Sequence, residues 1–301
     1  MYLRTRKLAL TEGITAGVLF GTASIFIRFL QNLDAFSIAF WRLLIACLTL
    51  AVTLLFHKGS FSFSLVRKNL RDLFILSVFL GLHFIFFISA VKDTTILNAT
   101  VLVNTTPIFS MFISSFLFKL KPSRLAIFGL TVSFIGVCVI AYAETLMANA
   151  SARPESFSPS LRGDLEAVLA ASVEAFYLNY GRKMRTQMAV LSAMFPIYMF
   201  TAIIVGILGT SVGKIFTLPN HVEIVLPLVG LGMLPTAIAH TLYFSSLSNL
   251  KSFETATMAL LEPIGATILG IILFQEIPAY VFVFGAALIL LGILFVVREK
   301  N

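Results

Sequence analysis

The chain has 301 residues, 58% of them hydrophobic and only 12% charged, and carries a formal net charge of +8. Soluble globular chains are about 45–50% apolar and about 25% charged, and a core of this size cannot hide such an excess beneath a polar coat. The composition excludes a soluble globular fold and makes this a polytopic membrane chain, in which lysine and arginine record topology before they suggest nucleic acid.

A membrane helix needs roughly 20 mostly apolar residues. Arg4, Arg6 and Lys7 precede the first such run, residues 8–30, which is too long for the apolar region of a signal peptide. The second run, 34–56, holds Arg42, and the third, 71–91, carries His83 beside Phe84, Phe86 and Phe87. The fourth, 95–118, contains Asn104, Thr105 and Pro107, and the fifth, 123–143, contains Gly129 and Gly136. A polar stretch with Pro and Ser, 144–162, comes next. Run 163–181 carries Glu174 and Tyr177, followed by 188–209 and by 223–247 with His240 and Tyr243. Run 252–274 has Glu262 and Pro263 near its centre, and 278–298 has Gly285 and Gly292. The expectation is an all-α fold of ten transmembrane helices.

With the N-terminus in the cytoplasm, 16 of the 22 lysines and arginines fall in inner loops and five in outer ones, with Arg42 inside a span. This asymmetry predicts both termini cytoplasmic. Shifting the sequence by 156 residues lays Pro107 on Pro263, Pro122 on Pro278, Gly129 on Gly285 and Gly136 on Gly292, without a gap. Two related halves follow: residues 1–143 and residues 163–301, joined by an outer loop at 144–162. Five spans per half force the second copy to insert upside down. The charges agree, because one copy of this connection carries Lys119, Lys121 and Arg124 while its counterpart, with Gln275, Glu276 and Tyr280, has no lysine or arginine. Inverted repeats of this kind are a transporter scaffold, with the solute site near the midplane.

The stretch "GMLPTAIAHTLYFSSLSNLKSFETATMALLEPIGATILGIILFQEIP" (232–278) and "FWRLLIA" (40–46) carry a resemblance to the EamA-type drug/metabolite transporters, which include amino-acid and metabolite exporters. The resemblance covers essentially the whole chain. It implies ten helices in inverted five-helix repeats, alternating access, and a central cavity lined by spans 1, 3, 4, 6, 8 and 9. The first half departs from the pattern, with Asn104-Thr105-Thr106-Pro107 in place of the acidic LEP step.

Glu262 lies near the middle of its span, where a charged side chain costs about 2.5–3.5 kcal/mol and a neutral acid less. It reads either as a proton or substrate-amine site or as a cap for amides freed at Pro263. Pro107 and Pro263 each remove a backbone donor at matching depth, and paired interruptions mark a central site or hinge. Glu174 is an intramembrane acid that functions in the cavity or pairs with Arg28 or Arg42. His83, Phe87, Asn104, Thr105, Tyr177, His240 and Tyr243 complete the candidates for the cavity, with packing and interhelical bonding as the competing reading. The glycines of the fifth and tenth spans serve close helix approach.

No GxxxxGK[ST] loop, HExxH or GxSxG motif occurs, so neither an ATP-driven pump, a metal site, a cofactor nor an enzyme is expected. The reading is a secondary transporter in the cell membrane that exports small metabolites, most plausibly amino acids, by alternating access. The alternatives are a carrier for nucleotide sugars or sugar phosphates, and a passive channel. Anionic solutes would call for cationic cavity residues, and the expected depth of Arg28 and Arg42 sets both near the outer helix ends.

Overall fold

The computed structural model describes residues 5–56, 61–94, 96–150, 160–214, 216, 219, 221–274 and 280–298, without the side chains of residues 28, 96–97, 143–150, 270 and 273–274. The connection at 275–279, with Gln275, Glu276 and Pro278, therefore lies outside the described residues.

The described residues are helical throughout, with no strand. The helices are α1 (Arg6–Arg28), α2 (Ala35–Phe56), α3 (Phe63–Lys68), α4 (Leu70–Asp93), α5 (Ile96–Val103), α6 (Thr106–Phe116) and α7 (Arg124–Ala150). The second half has α8 (Leu161–Gln187), α9 (Val190–Ser211), α10 (Val222–Leu231), a π-helical segment (Gly232–His240), α11 (Thr241–Ser246), α12 (Ser252–Met258), a 3-10 turn (Ala259–Leu261), α13 (Glu262–Phe274) and α14 (Tyr280–Val297). Eight segments among the described residues are long and apolar enough to cross a membrane. The expected spans 163–181 and 252–274 fall outside that set for two physical reasons. Helix α8 carries Asp164, Glu166, Glu174 and several basic residues, and α12 and α13 are separated by a break. Much of the polarity of α8 is turned inward, since Glu174, Asn179 and Arg185 are all buried.

Charged and polar side chains are gathered in the interior, and large apolar ones lie exposed on the outside. Arg42, His83, Glu174, His240 and Glu262 are each less than 9% exposed. Leu55, Phe56, Ile207, Leu226, Ile272 and Phe284 are each more than 60% exposed. A soluble protein arranges these the other way. An apolar belt around a hydrogen-bonded helical interior is the arrangement that hydrocarbon requires.

Helix contacts occur in matching sets. Helix α1 packs on α13 as α8 packs on α6, and α1 packs on the π segment and α11 as α8 packs on α4. Helix α2 meets the π segment as α9 meets α4, while α2 pairs with α9 and α7 with α14. The α7–α14 seam is close because its contacts are glycines. A methyl on Gly129 would lie 2.6 Å from the Gly292 carbonyl oxygen, and one on Gly136 the same distance from that of Gly285. Between them Ser133 Oγ donates to the Ile289 carbonyl at 3.2 Å, across a separation of 156 residues. Small residues that let backbones approach are the usual source of such packing in membranes.

Candidate functional site

Three interrupted segments meet at the centre. In the fourth span, α5 ends at Val103 and α6 restarts at Thr106. Pro107 has no amide to donate to the Val103 carbonyl, and Thr106 Oγ1 donates to that oxygen instead, at 2.8 Å. Asn104 Nδ2 donates back to Thr100 at 2.8 Å and Thr105 Oγ1 to Leu102 at 2.6 Å. Between α12 and α13 the break lies at Ala259–Leu261, and Glu262 opens α13. The expectation that Glu262 caps amides freed there is not met. Its carboxylate makes no hydrogen bond or ion pair among the described residues, although the side chain is only 8% exposed. The third interruption is the π segment with Pro235 inside it, where Thr236 Oγ1 closes onto the Leu231 carbonyl at 2.6 Å. Such windings cluster at functional sites.

These breaks surround a cavity that holds Glu262, Glu174, His83, His240, Asn104 and Pro107 together. Six of the sequence candidates therefore share one site, with Phe87 on its wall. Its free volume is about 40 Å³, enough for roughly three waters and too small for a solute in this conformation.

Inside it, Glu174 pairs with neither arginine that the sequence offered. Its Oε2 lies 3.6 Å from His83 Nδ1 and accepts from Thr106 Oγ1 at 3.4 Å. His83 Nδ1 also lies 3.1 Å from the Ala170 carbonyl. A carbonyl only accepts, so His83 Nδ1 is the donor in that contact. The His83 ring stacks on Phe87 and meets His240 edge-on, with centroids 6.0 Å apart in each case. His240 sits between Phe20 and Phe84, and its Nδ1 is buried without a hydrogen-bond partner.

Four candidates lie away from the lining. Thr105 is occupied by its own helix. Tyr177 is packed on Phe244, with its hydroxyl 3.5 Å from Met194 sulfur. Tyr243 packs against Phe20 behind His240, and its hydroxyl is buried without a partner. Pro263 is buried beside the lining residue Glu262. Conversely, Arg42 belongs to the cavity wall and not to the outer end of its helix. Its long side chain reaches inward, where Nε donates to Thr236 Oγ1 at 2.9 Å and the guanidinium carbon stands 4.1 Å above the Phe84 ring. Phe20, Thr106 and Pro235 also line the site and carry no distinguishing signal in the sequence beyond the proline.

Helix ends tie the halves together at two places. At one, Arg6 Nη2 lies 2.5 Å from Glu254 Oε1 and donates to the Val297 carbonyl at 3.0 Å, while Glu254 Oε2 accepts from the Lys251 amide at 2.6 Å. At the other, Asp164 accepts from Thr94 Oγ1 at 2.8 Å and from Asn98 Nδ2 at 3.2 Å. Asn98 and Glu254 are separated by 156 residues, the offset that lays Pro107 on Pro263.

An uncharacterized transporter of Archaeoglobus fulgidus is 27% identical over 98% of this chain and 97% of its own. The uncharacterized transporter YcxC of Bacillus subtilis is 25% identical over 95% and 91%. Solute carrier family 35 member G1 of Mus musculus is 27% identical over 59% of this chain and 48% of its own. A crystal structure 18% identical to this chain superposes with a TM-score of 0.79, over 97% of this chain and 96% of that one, which establishes a common fold. These relatives are named as transporters and not as enzymes. The EamA-like transporter family model matches residues 8–142 and again 161–298, and with both stretches matched this multi-pass membrane chain belongs to that family.

Proposed function

We propose that the protein is a secondary transporter that exports small metabolites, amino acids first among them, across the cytoplasmic membrane by alternating access. In this reading residues 1–143 and 163–301 are inverted five-helix halves, giving ten spans with both termini in the cytoplasm. The paired helix contacts, the helix restarts at Thr106 and at Glu262, 156 residues apart, and the double family match support it. The basic inner loops support the orientation.

The observation that carries the proposal is the central cavity, in which two acids, two histidines and a guanidinium face apolar aromatic walls. A zwitterion with an apolar side chain finds both of its charges and its bulk matched there. A multiply charged anion finds Glu174 and Glu262 opposing it, which disfavours nucleotide-sugar or sugar-phosphate exchange. The contacts at Arg6–Glu254 and Asp164–Asn98 act as the inner and outer latches of the carrier, and opening one while the other stays shut gives access from one side only.

The test is reconstitution into liposomes with a radiolabelled amino-acid panel, with and without a proton gradient. Saturable uptake that is accelerated by unlabelled solute on the far side supports a carrier. Non-saturating conductance, or no flux for any amino acid, refutes the proposal.

A further inference from the structure

Arg42 is the most fully enclosed cation of the cavity, only 1% exposed, and its charge is not answered by the protein. Of its five N–H donors, one is used: Nε donates to Thr236 Oγ1. Nη1 is buried without a hydrogen-bond partner, and no carboxylate lies within ion-pair distance among the described residues. The Phe84 ring beneath it contributes attraction, but a ring face does not satisfy N–H donors. Removing a cation from water without a partner is among the costlier things a fold can do.

Neither acid of the cavity takes up the debt. Glu174 is engaged by His83 and Thr106, and Glu262 makes no ion pair with Arg42. Tyr198, which packs against the same segment, donates its hydroxyl to the Thr236 carbonyl at 2.7 Å and makes no hydrogen bond to the guanidinium. The Nε–Thr236 bond and the Phe84 ring hold the guanidinium in place, in a side chain that lines the cavity and has donors to spare.

The geometry points to Arg42 as the group that recognises the carboxylate of the transported solute, with Glu262 as the partner of its ammonium. A planar fork receiving a carboxylate in two parallel hydrogen bonds is the strongest use of such a side chain. The assignment rests on the amino-acid reading above and adds to it the direction in which the solute lies. It also explains why one half alone carries a cavity guanidinium: a zwitterion is polar end to end and needs different groups at its two ends.

The test compares leucine and phenylalanine with their decarboxylated forms, 3-methylbutylamine and phenethylamine, and their deaminated forms, 4-methylpentanoate and 3-phenylpropionate. Each competes for counterflow in proteoliposomes, and each is scored for thermal stabilisation of the purified protein. In the wild type, loss of the carboxylate weakens recognition at least tenfold. In Arg42→Gln the amine and the amino acid fall within threefold of each other, while the penalty for removing the amino group persists. Should Arg42→Gln not fold, Arg42→Lys keeps the charge and loses the fork, and the carboxylate preference drops at least threefold. A wild type that handles amine and amino acid alike, or a preference unchanged in the folded variants, overturns the Arg42 assignment and leaves the transport reading standing. If none of the six compounds moves or stabilises the wild type, the amino-acid reading falls, and the assignment with it.

Discussion

Replacing Arg6 by Gln tests the inner latch. Glu254 is fully buried and its partner side chain is 27% exposed, so the pair lies between the surface case, worth about 0–1 kcal/mol, and the buried case, where losing one partner costs about 3–5 kcal/mol. A value of about 2 kcal/mol follows, which multiplies the open-to-closed ratio at that end roughly thirtyfold. The substitution leaves the Glu254 bond to the Lys251 amide intact, so the start of α12 keeps its cap. Access is read from a cysteine at Ala259, which lines the cavity, in a background with Cys47 and Cys138 replaced. A membrane-impermeant thiol reagent applied from the cytoplasmic face labels Arg6→Gln an order of magnitude or more faster than the parent, with no gain from the opposite face. Glu254→Gln gives the same direction, and the double variant adds little, because both remove one interaction. Equal acceleration from both faces would mean general loosening, and no acceleration would mean that the pair is not a latch. Either result refutes the reasoning.

The outer latch is tested by Asn98→Asp, which sets a second carboxylate against Asp164 in place of an amide donor; labelling of the same cysteine rises from the outer face alone. Glu262→Gln abolishes or severely impairs solute flux while leaving the melting temperature of the purified protein within a few degrees of the parent, since the carboxylate makes no internal bond to lose. Thr106→Val leaves the Val103 carbonyl and one oxygen of Glu174 without their donor, and destabilises by about 1–3 kcal/mol in denaturant titrations in detergent. Gly129→Val overpacks the α7–α14 seam against the Gly292 carbonyl and the Phe295 side chain, which lowers thermal stability by at least the 1–3 kcal/mol typical of overpacking.

The sequence marked the breaks in the fourth and ninth spans through Pro107 and Pro263, because a missing amide at mid-membrane is visible in one letter. It also marked the acids, whose cost in hydrocarbon makes them conspicuous. Direction across a helix was harder to read. Arg42 stood eight residues into its run and was assigned by depth to the outer end, but a flexible side chain places its charge several ångströms from its backbone. Tyr177 shares a helical flank with Glu174 by spacing, yet α9 packs over it and directs its hydroxyl to Met194. Phe20 is one of 30 phenylalanines, and nothing local separates a cavity wall from a lipid-facing ring. The π winding at Gly232–His240 is a tertiary accommodation, with Thr236 and Pro235 sharing the task, and periodicity is blind to it.

The hydrogen bond from Ser133 to Ile289 has a consequence for ancestry. Each of the two residues is the other's counterpart at the 156-residue offset, so a two-fold axis exchanging them would cross the midpoint of the contact, and Gly129–Gly292 and Gly136–Gly285 are one contact made twice. A contact of that form needs only one kind of surface. Two copies of a single five-helix chain, inserted in opposite directions into the same membrane, could form it before any fusion joined them. The seam between α7 and α14 is thus the part of the molecule where a homodimer could have preceded the present single chain. Glu262, opposite Thr106 in the other half, marks how far the two copies have since diverged in chemistry.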